Sequence, residues 1–315
     1  MPSELTYDDG PLVPTSAPDW AVAASERLQR KRELNGSNDV LQPPEGVSRV
    51  LLHSCCAPCS GAMMEEMRSS PFITEVVVFF YNPNIHPRKE YEIRKEENKR
   101  WCAKIGVEFV DVDYDVTNWY SRVQGMEFDP ERGRRCTECF DMRMERTALY
   151  AYERGFHAIA TTNSTSRWKD VNQVDDSGHR AAARYPPLIY WAHDWQNDEM
   201  TVRKYQISSS ERFYKQEYCG CSFSLRDSNE WRKANGIPKI QIGGDTAGLG
   251  ERYFSDPLVD ATEESQDVVD EFFSQAKEIA EAGNDVVERR KRLDIYRERR
   301  KNEAHDGKLQ GLNNW

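Results

Sequence analysis

Short apolar runs alternate along the chain with longer segments that repeat apolar residues every three or four positions. The runs fall at 50–52, 76–81, 107–112, 156–162 and 188–191. Each is rich in β-branched, leucine or aromatic residues and fits a strand covered on both faces. Between them, 61–67, 91–105 and 136–154 read as helices. In the last, Phe140, Met144, Ala148 and Ala151 share one stripe. Gly155 follows as a left-handed stop. Strands alternating with helices predict an α/β domain with a mostly parallel sheet. Each connection is long enough for a right-handed crossover.

The pattern fades at both ends. Residues 1–46 are broken by Pro2, Pro11, Pro14, Pro18, Pro43 and Pro44 and read as a tail, with a short helix at 19–34. The α/β domain is expected to span 47–226. Residues 227–315 form a mainly helical appendage whose one strand candidate is 239–242. Within it, 260–288 carries ten acids against Lys277, while Val268, Phe272, Ala276, Ile279 and Ala280 keep a helical stripe. The stretch 289–301 answers with eight bases against two acids. Solvated helix faces explain these blocks better than a dedicated interaction arm.

Length and charge refine the picture. The chain has 315 residues, above the roughly 100–200 of one ordinary domain. No apolar run approaches the roughly 20 residues of a membrane helix. The N-terminus lacks the basic and apolar regions of a secretory signal. A cytoplasmic protein off the membrane is expected. The net charge of −10 speaks at first against a nucleic-acid partner. However, residues 1–46 carry −4 and residues 227–315 carry −5, so the domain between them is near neutral. Such a domain can still gather a local basic face.

The cysteines carry the chemistry. Seven of the eight form three groups: Cys55-Cys56-Ala57-Pro58-Cys59, Cys136-Thr137-Glu138-Cys139 and Cys219-Gly220-Cys221. Neighbouring cysteines pair poorly in ordinary disulfide geometry. They converge well on a metal or an iron–sulfur cluster. Scattered buried thiols, or a redox pair at Cys136 and Cys139, are the plainer alternatives. Cys102, alone after Trp101, reads as a core cysteine. The first group follows the first strand, and the second opens a helix. At both places the helix dipole and free N–H groups favour thiolate. Ligands of open α/β sheets bind beyond the carboxyl ends of the strands. Gly220 permits a sharp turn that lets both flanking thiols face one centre. Seven thiols exceed the four of one cluster, which points to a second metal or a redox pair.

The motifs themselves have a family look. They are Leu51-Leu52-His53-Ser54-Cys55-Cys56-Ala57-Pro58-Cys59-Ser60, then Tyr81-Asn82-Pro83-Asn84-Ile85-His86-Pro87 with Glu90-Tyr91. Arg135-Cys136-Thr137-Glu138-Cys139, Arg143-Met144-Glu145-Arg146-Thr147-Ala148 and Thr161-Thr162 follow. Last comes Tyr214-Lys215-Gln216-Glu217-Tyr218-Cys219-Gly220-Cys221-Ser222-Phe223-Ser224. In this order, across about 47–225, they resemble the QueH-type epoxyqueuosine reductases. Residues 163–170 depart from the shorter members, and both ends lie outside the minimal domain.

The resemblance implies a Rossmann-like fold of the HUP type. It also implies a 4Fe-4S cluster with an adjacent mononuclear metal, expected to be iron, and no cobalamin. The implied reaction is two-electron reduction of epoxyqueuosine to queuosine in tRNA with a GUN anticodon, fed by a low-potential electron donor. In this reading Cys56, Cys136, Cys139 and one of Cys219 or Cys221, taken as Cys219, hold the cluster. Cys55, Cys59 and Cys221 hold the second metal. His53, Tyr218 and His86 are candidate proton donors, with packing the stronger role for His53. Tyr81, Asn82 and Asn84 form a turn or line the substrate pocket. Arg135, Arg143 and Arg146 contact phosphate, or Arg143 and Arg146 pair with Glu138 or Asp141 on the helix. Lys215 and Arg167-Trp168-Lys169 have the makeup of a nucleotide platform, against a buried Trp168. Two other readings stay open. A thiolation or adenylation enzyme of the same fold would want a glycine-rich loop where Pro58 and the thiols stand. A non-enzymatic zinc protein would be colourless.

Overall fold

The computed structural model describes residues 40–166 and 168–243, and Ser274. The expected tail up to residue 39 with its helix, Arg167, and the appendage beyond 243 apart from Ser274 lie outside the described residues.

The strands are β1 (Arg49–His53), β2 (Glu75–Phe80), β3 (Glu108–Asp111), β4 (Ala158–Thr161) and β5 (Ile189–Tyr190). They form one sheet in the order β3-β2-β1-β4-β5, with every pairing parallel. The helices are α1 (Ala57–Ser69), α2 (Arg88–Ile105), α3 (Val116–Val123), α4 (Arg134–Glu153), α5 (Val171–Ala182), α6 (Asp198–Ser210) and α7 (Ser222–Ala234). This is the α/β architecture expected from the alternating pattern.

Side-chain alternation in the strands gives the sheet two apolar faces. Val50, Leu52, Val76 and Val78 pack with Met63, Met64 and Met67 of α1 and Trp101 of α2. Leu51, Val77, Phe79 and Ile159 pack on the other side with Met144, Ala148 and Ala151 of α4 and Trp119 of α3. Both faces are covered, which is why the strands read as continuous apolar runs rather than alternating ones. Val116, Trp119, Tyr120 and Val123 of α3 are all buried, at spacings of three and four.

Three boundaries differ from the sequence expectation. The first helix begins at Ala57, not 61, with Pro58 in its opening turn. Proline suits that turn because its missing N–H has no partner to lose. Residues 239–242 form no strand, although Ile240 is buried. Leu41, assigned to the tail, is buried in the core, and its carbonyl accepts from Ser70 Oγ at 2.8 Å.

The sheet order reverses direction between β1 and β4. Connections leave to opposite sides there, and a crevice opens beyond the carboxyl ends. His53 pairs level with Phe79 and Thr161, so the segments after β1, β2 and β4 leave from one edge.

Candidate metal centre

A buried latch holds that edge. His53 Nε2 lies 3.1 Å from the Tyr81 carbonyl and Nδ1 lies 2.9 Å from Thr161 Oγ1. A carbonyl only accepts, so Nε2 carries the proton and Nδ1 accepts from the hydroxyl. Burial, helped by the Arg143 charge, pushes the ring pKa down to about 3. His53 is therefore a neutral strut between three strands. Both nitrogens are engaged, which favours the packing role over proton donation.

The first thiol group follows directly. The Cys55 N–H donates to Thr162 Oγ1 at 3.3 Å, and the Cys55 and Cys56 sulfurs stand 3.8 Å apart. Cys56 caps α1 and Cys59 lies in its first turn. Hydrogen bonds from Cys56 and Cys59 hold Cys55 well below the usual thiol range, and Lys169 and Arg143 add to this. The same sharing raises Cys56 and Cys59. Ser60 Oγ and Ser54 Oγ both reach Asn98 Oδ1, at 3.0 and 2.6 Å, and fix the loop from below.

The second group sits at the start of α4. Gly133 precedes the helix, and the Arg132 N–H points at Cys136 Sγ at 3.3 Å. One turn on, Cys139 is buried, and burial pushes its thiol up to about 12. Arg143 bonds the Cys139 carbonyl at 3.0 Å and approaches Asn82 Oδ1 at 3.5 Å.

The third group is a tight hairpin pinned from outside. Gly220 holds φ +131, a conformation side chains avoid. A Cβ there would come 2.9 Å from Arg94 Nη1. Arg94 donates to the carbonyls of Cys219 at 3.0 Å and Tyr218 at 3.3 Å. Its charge is met by Glu90, 2.7 Å away, and both side chains are almost wholly buried. The His86 N–H donates to the Gly220 carbonyl at 2.8 Å. Cys221 caps α7 by accepting from the Ser224 N–H at 3.4 Å.

The thiols thus fall into two neighbouring sets. Cys55, Cys56 and Cys59 interact with one another. Burial first, and the Cys219 thiol among the neighbours, pushes up Cys136, Cys139 and Cys221, which relates these four to one another. Burial opposes the Lys169 charge, but Cys219, Cys55 and Cys59 outweigh it and raise its pKa, so Lys169 faces both sets. All eight cysteines are free. Among the described residues, no three His, Cys, Asp or Glu side chains are closed into a ready cage for an ion. Free thiols backed by Arg94, Arg143 and Lys169 nevertheless have the donor chemistry and charge balance of an anionic iron–sulfur centre.

Several expected substrate residues take other places. Tyr81 is buried, and burial raises its pKa to about 12. Asn82 donates to the Ser54 carbonyl at 2.8 Å and forms a turn with Ile85, the turn that is the other reading of this segment. Asn84 is buried, with Oδ1 unpartnered. Arg135 is buried, braces the carbonyls of Met126 and Glu127 at 3.1 and 3.0 Å, and does not reach out to phosphate. Tyr218 is buried, with its hydroxyl donating to the His86 carbonyl, and burial raises its pKa far above the usual phenol. Lys215 is exposed, and Trp168 is 72% exposed rather than packed on the sheet.

Sequence reasoning missed Arg94, Thr162 and Asn163. Asn163 is 1% exposed, and both its amide atoms lack a partner. The one local signal for Arg94 is the i,i+4 spacing from Glu90.

The family described as "Epoxyqueuosine reductase QueH" matches residues 50–227, a span that includes all seven clustered cysteines. The relative of that name from Histophilus somni is 52% identical over 220 residues, covering 68% of this chain and 90% of its own. The one from Haemophilus influenzae is 54% identical over 203 residues, covering 64% and 82%. The one from Thermotoga maritima is 29% identical over 184 residues, covering 58% and 92%. Among solved structures, the U34-tRNA thiolase NcsA from Methanococcus maripaludis with its [4Fe-4S] cluster aligns at 12% identity and TM-score 0.37, over 77% of this chain and 81% of that one. So slight a likeness says nothing about ligands. Matched over more than half its length, the chain belongs to the epoxyqueuosine reductase QueH family.

Proposed function

We propose that this protein reduces epoxyqueuosine to queuosine in tRNA. The overall change takes up two electrons and two protons, releases the epoxide oxygen as water and leaves a carbon–carbon double bond. What carries the reading is the position of the seven free thiols. Cys55, Cys56 and Cys59 follow the carboxyl end of β1, where a nucleotide-binding relative would keep a glycine-rich phosphate loop, and the Lys169 charge is felt by Cys55 and Cys59 and by Cys219 of the third group. Pro58 and the crowded thiols disfavour the adenylating alternative.

Cys136, Cys139, Cys219 and Cys221 would hold a four-iron cluster, and Cys55, Cys56 and Cys59 a single iron. Support for keeping Cys56 with Cys55 and Cys59 comes from their shared turn at the start of α1, where the Cys55 and Cys56 sulfurs stand 3.8 Å apart. When bound, such a pair supplies single electrons and a Lewis acid for the epoxide oxygen. The protein's own part is electrostatic and steric. Arg94 and His86 fix the third hairpin, Arg143 fixes Cys139, and Lys169 and Arg143 keep positive charge beside the thiols. Low-potential electrons come from a separate donor.

The test is direct. Iron and sulfide are reconstituted anaerobically, tRNA containing epoxyqueuosine and a low-potential reductant are added, and queuosine is sought by mass spectrometry. Fully loaded protein that forms no queuosine rejects the reading. A serine scan read by EPR tests the split. C136S, C139S, C219S and C221S are expected to lose the cluster signal, while C55S, C56S and C59S retain it.

A further inference from the structure

Two large aromatic side chains are exposed on the loops that lead into α4 and α5. Trp168 is 72% exposed and Phe128 58%. Arg132 ties those loops together. Its Nε donates to the Trp168 carbonyl at 3.1 Å, and its own N–H points at Cys136 Sγ at 3.3 Å. Arg132 keeps the left-handed region, with φ 65, a conformation a non-glycine residue holds only when its surroundings fix it. Gln173 Nε2 supplies part of that fixing, donating to the Arg132 and Gly133 carbonyls at 3.1 Å and to Thr137 Oγ1 at 2.7 Å. Trp168 is thus registered against the thiol edge through two hydrogen bonds.

Phe128 is registered from the other side. The Arg226 guanidinium lies 5.2 Å from its ring centre and also donates to the Glu127 carbonyl at 3.0 Å. Arg226 belongs to α7, the helix that Cys221 caps. Arg132 and Arg134 add exposed cations on the same loop as Phe128. Asp129 meets Arg134 at 3.1 Å, Asp227 meets Arg226 at 2.7 Å, and Glu131 is an exposed acid on the same loop.

From this arrangement we infer that Phe128 and Trp168 form a stacking platform for unpaired bases of a single-stranded RNA loop, placed so that a neighbouring nucleotide enters the thiol crevice. The inference rests on the tRNA reading above and names the surface that reading needs. Exposed rings with cations alongside suit RNA loops, whose bases turn outward and stack on aromatic faces. The loops are rigidly tied rather than left to adapt, which suits a platform that positions its ligand.

Binding of a labelled anticodon stem–loop RNA, with unmodified guanosine at the wobble position, is measured on the full-length, iron-loaded protein. This readout does not depend on turnover. W168A and F128A are each expected to weaken binding about tenfold, the effect of losing one base stack. W168F is expected to restore most of it. Iron content and thermal melting, unchanged in the variants, separate a lost platform from a damaged fold. Wild-type affinity in both alanine variants overturns the inference. So does retained RNA affinity with turnover lost only when a protein, rather than a chemical reductant, supplies electrons, since the surface then serves a protein partner. If wild-type protein binds RNA through these rings yet never forms queuosine, the functional reading fails and the platform stands.

Discussion

Replacing Arg94 with methionine isolates what holds the third cysteine hairpin. The change removes one guanidinium and keeps most of the volume. Glu90 loses its counter-charge at 2.7 Å, while its other oxygen keeps the Tyr214 hydroxyl at 2.7 Å. The carbonyls of Cys219 and Tyr218 lose their donor. Removing one partner of a buried ion pair costs about 3–5 kcal/mol, because the other charge stays behind. Unpaired carbonyls raise this further, though not additively. A loss of about 4 kcal/mol is a large share of the roughly 5–15 kcal/mol that holds a domain together. In urea, with a slope of about 2 kcal/mol per molar, the unfolding midpoint of the reduced, iron-free protein should fall by about 2 M. The double variant E90Q/R94M removes the stranded charge and should recover about 1–2 kcal/mol. Bound iron should fall in R94M as well, since the hairpin carries Cys219 and Cys221. A midpoint within about 0.5 M of wild type in R94M, or no recovery in the double variant, would refute the argument.

Three further outcomes follow from buried groups elsewhere. C102S should keep its iron, because Cys102 packs 3.6 Å from the Met64 sulfur away from the other thiols, while burying a hydroxyl there lowers stability by about 1–2 kcal/mol in a denaturation curve. Glu66 is held up to about 7, first by burial and then by Glu199 and Glu65. Its ionisation is resisted by the fold, so stability falls as pH rises from about 4.5 through 7. E66Q should match wild type at low pH and, after discounting for partial exposure, melt about 2–4 °C higher at alkaline pH; equal melting there refutes the assignment. In G178A a Cβ would meet Tyr190 Cδ2 at 2.2 Å, and Tyr190 is buried with its hydroxyl on Asp175, so a loss of about 1–3 kcal/mol is expected on thermal melting.

The strands were legible because a sheet covered on both faces must use apolar residues at successive positions, as Val76, Val77 and Val78 do. The thiol crevice was legible because cysteines sit in the turns after β1 and at the start of α4. Shorter helices were harder to see. α5 buries Val174, Ser177, Gly178 and Ala181, which leaves little apolar signal, although Asp170 caps it at Asn172 and Gln173. The roles of the buried arginines stayed hidden for a different reason. Arg94, Arg135 and Arg143 bond carbonyls of Tyr218, Met126 and Cys139, and in the first case the partner lies 124 residues away. No local pattern announces such a contact, so charge alone pointed these side chains outward. Trp168 shows the converse, since burial and exposure of a tryptophan look alike in sequence.

The pinning of the third hairpin bears on the order of events in a cell. The hairpin near the end of the described chain is fastened to Arg94 and His86, which lie between the first two cysteine groups in sequence. Two thiol groups therefore emerge during synthesis long before the third can close over them. Until then their sulfurs face solvent, open to oxidation or to a stray zinc ion. In the proposed reading, iron loading waits for α7 to dock, and the salt bridge between Glu90 and Arg94 makes closure of the third hairpin the precondition for a complete centre.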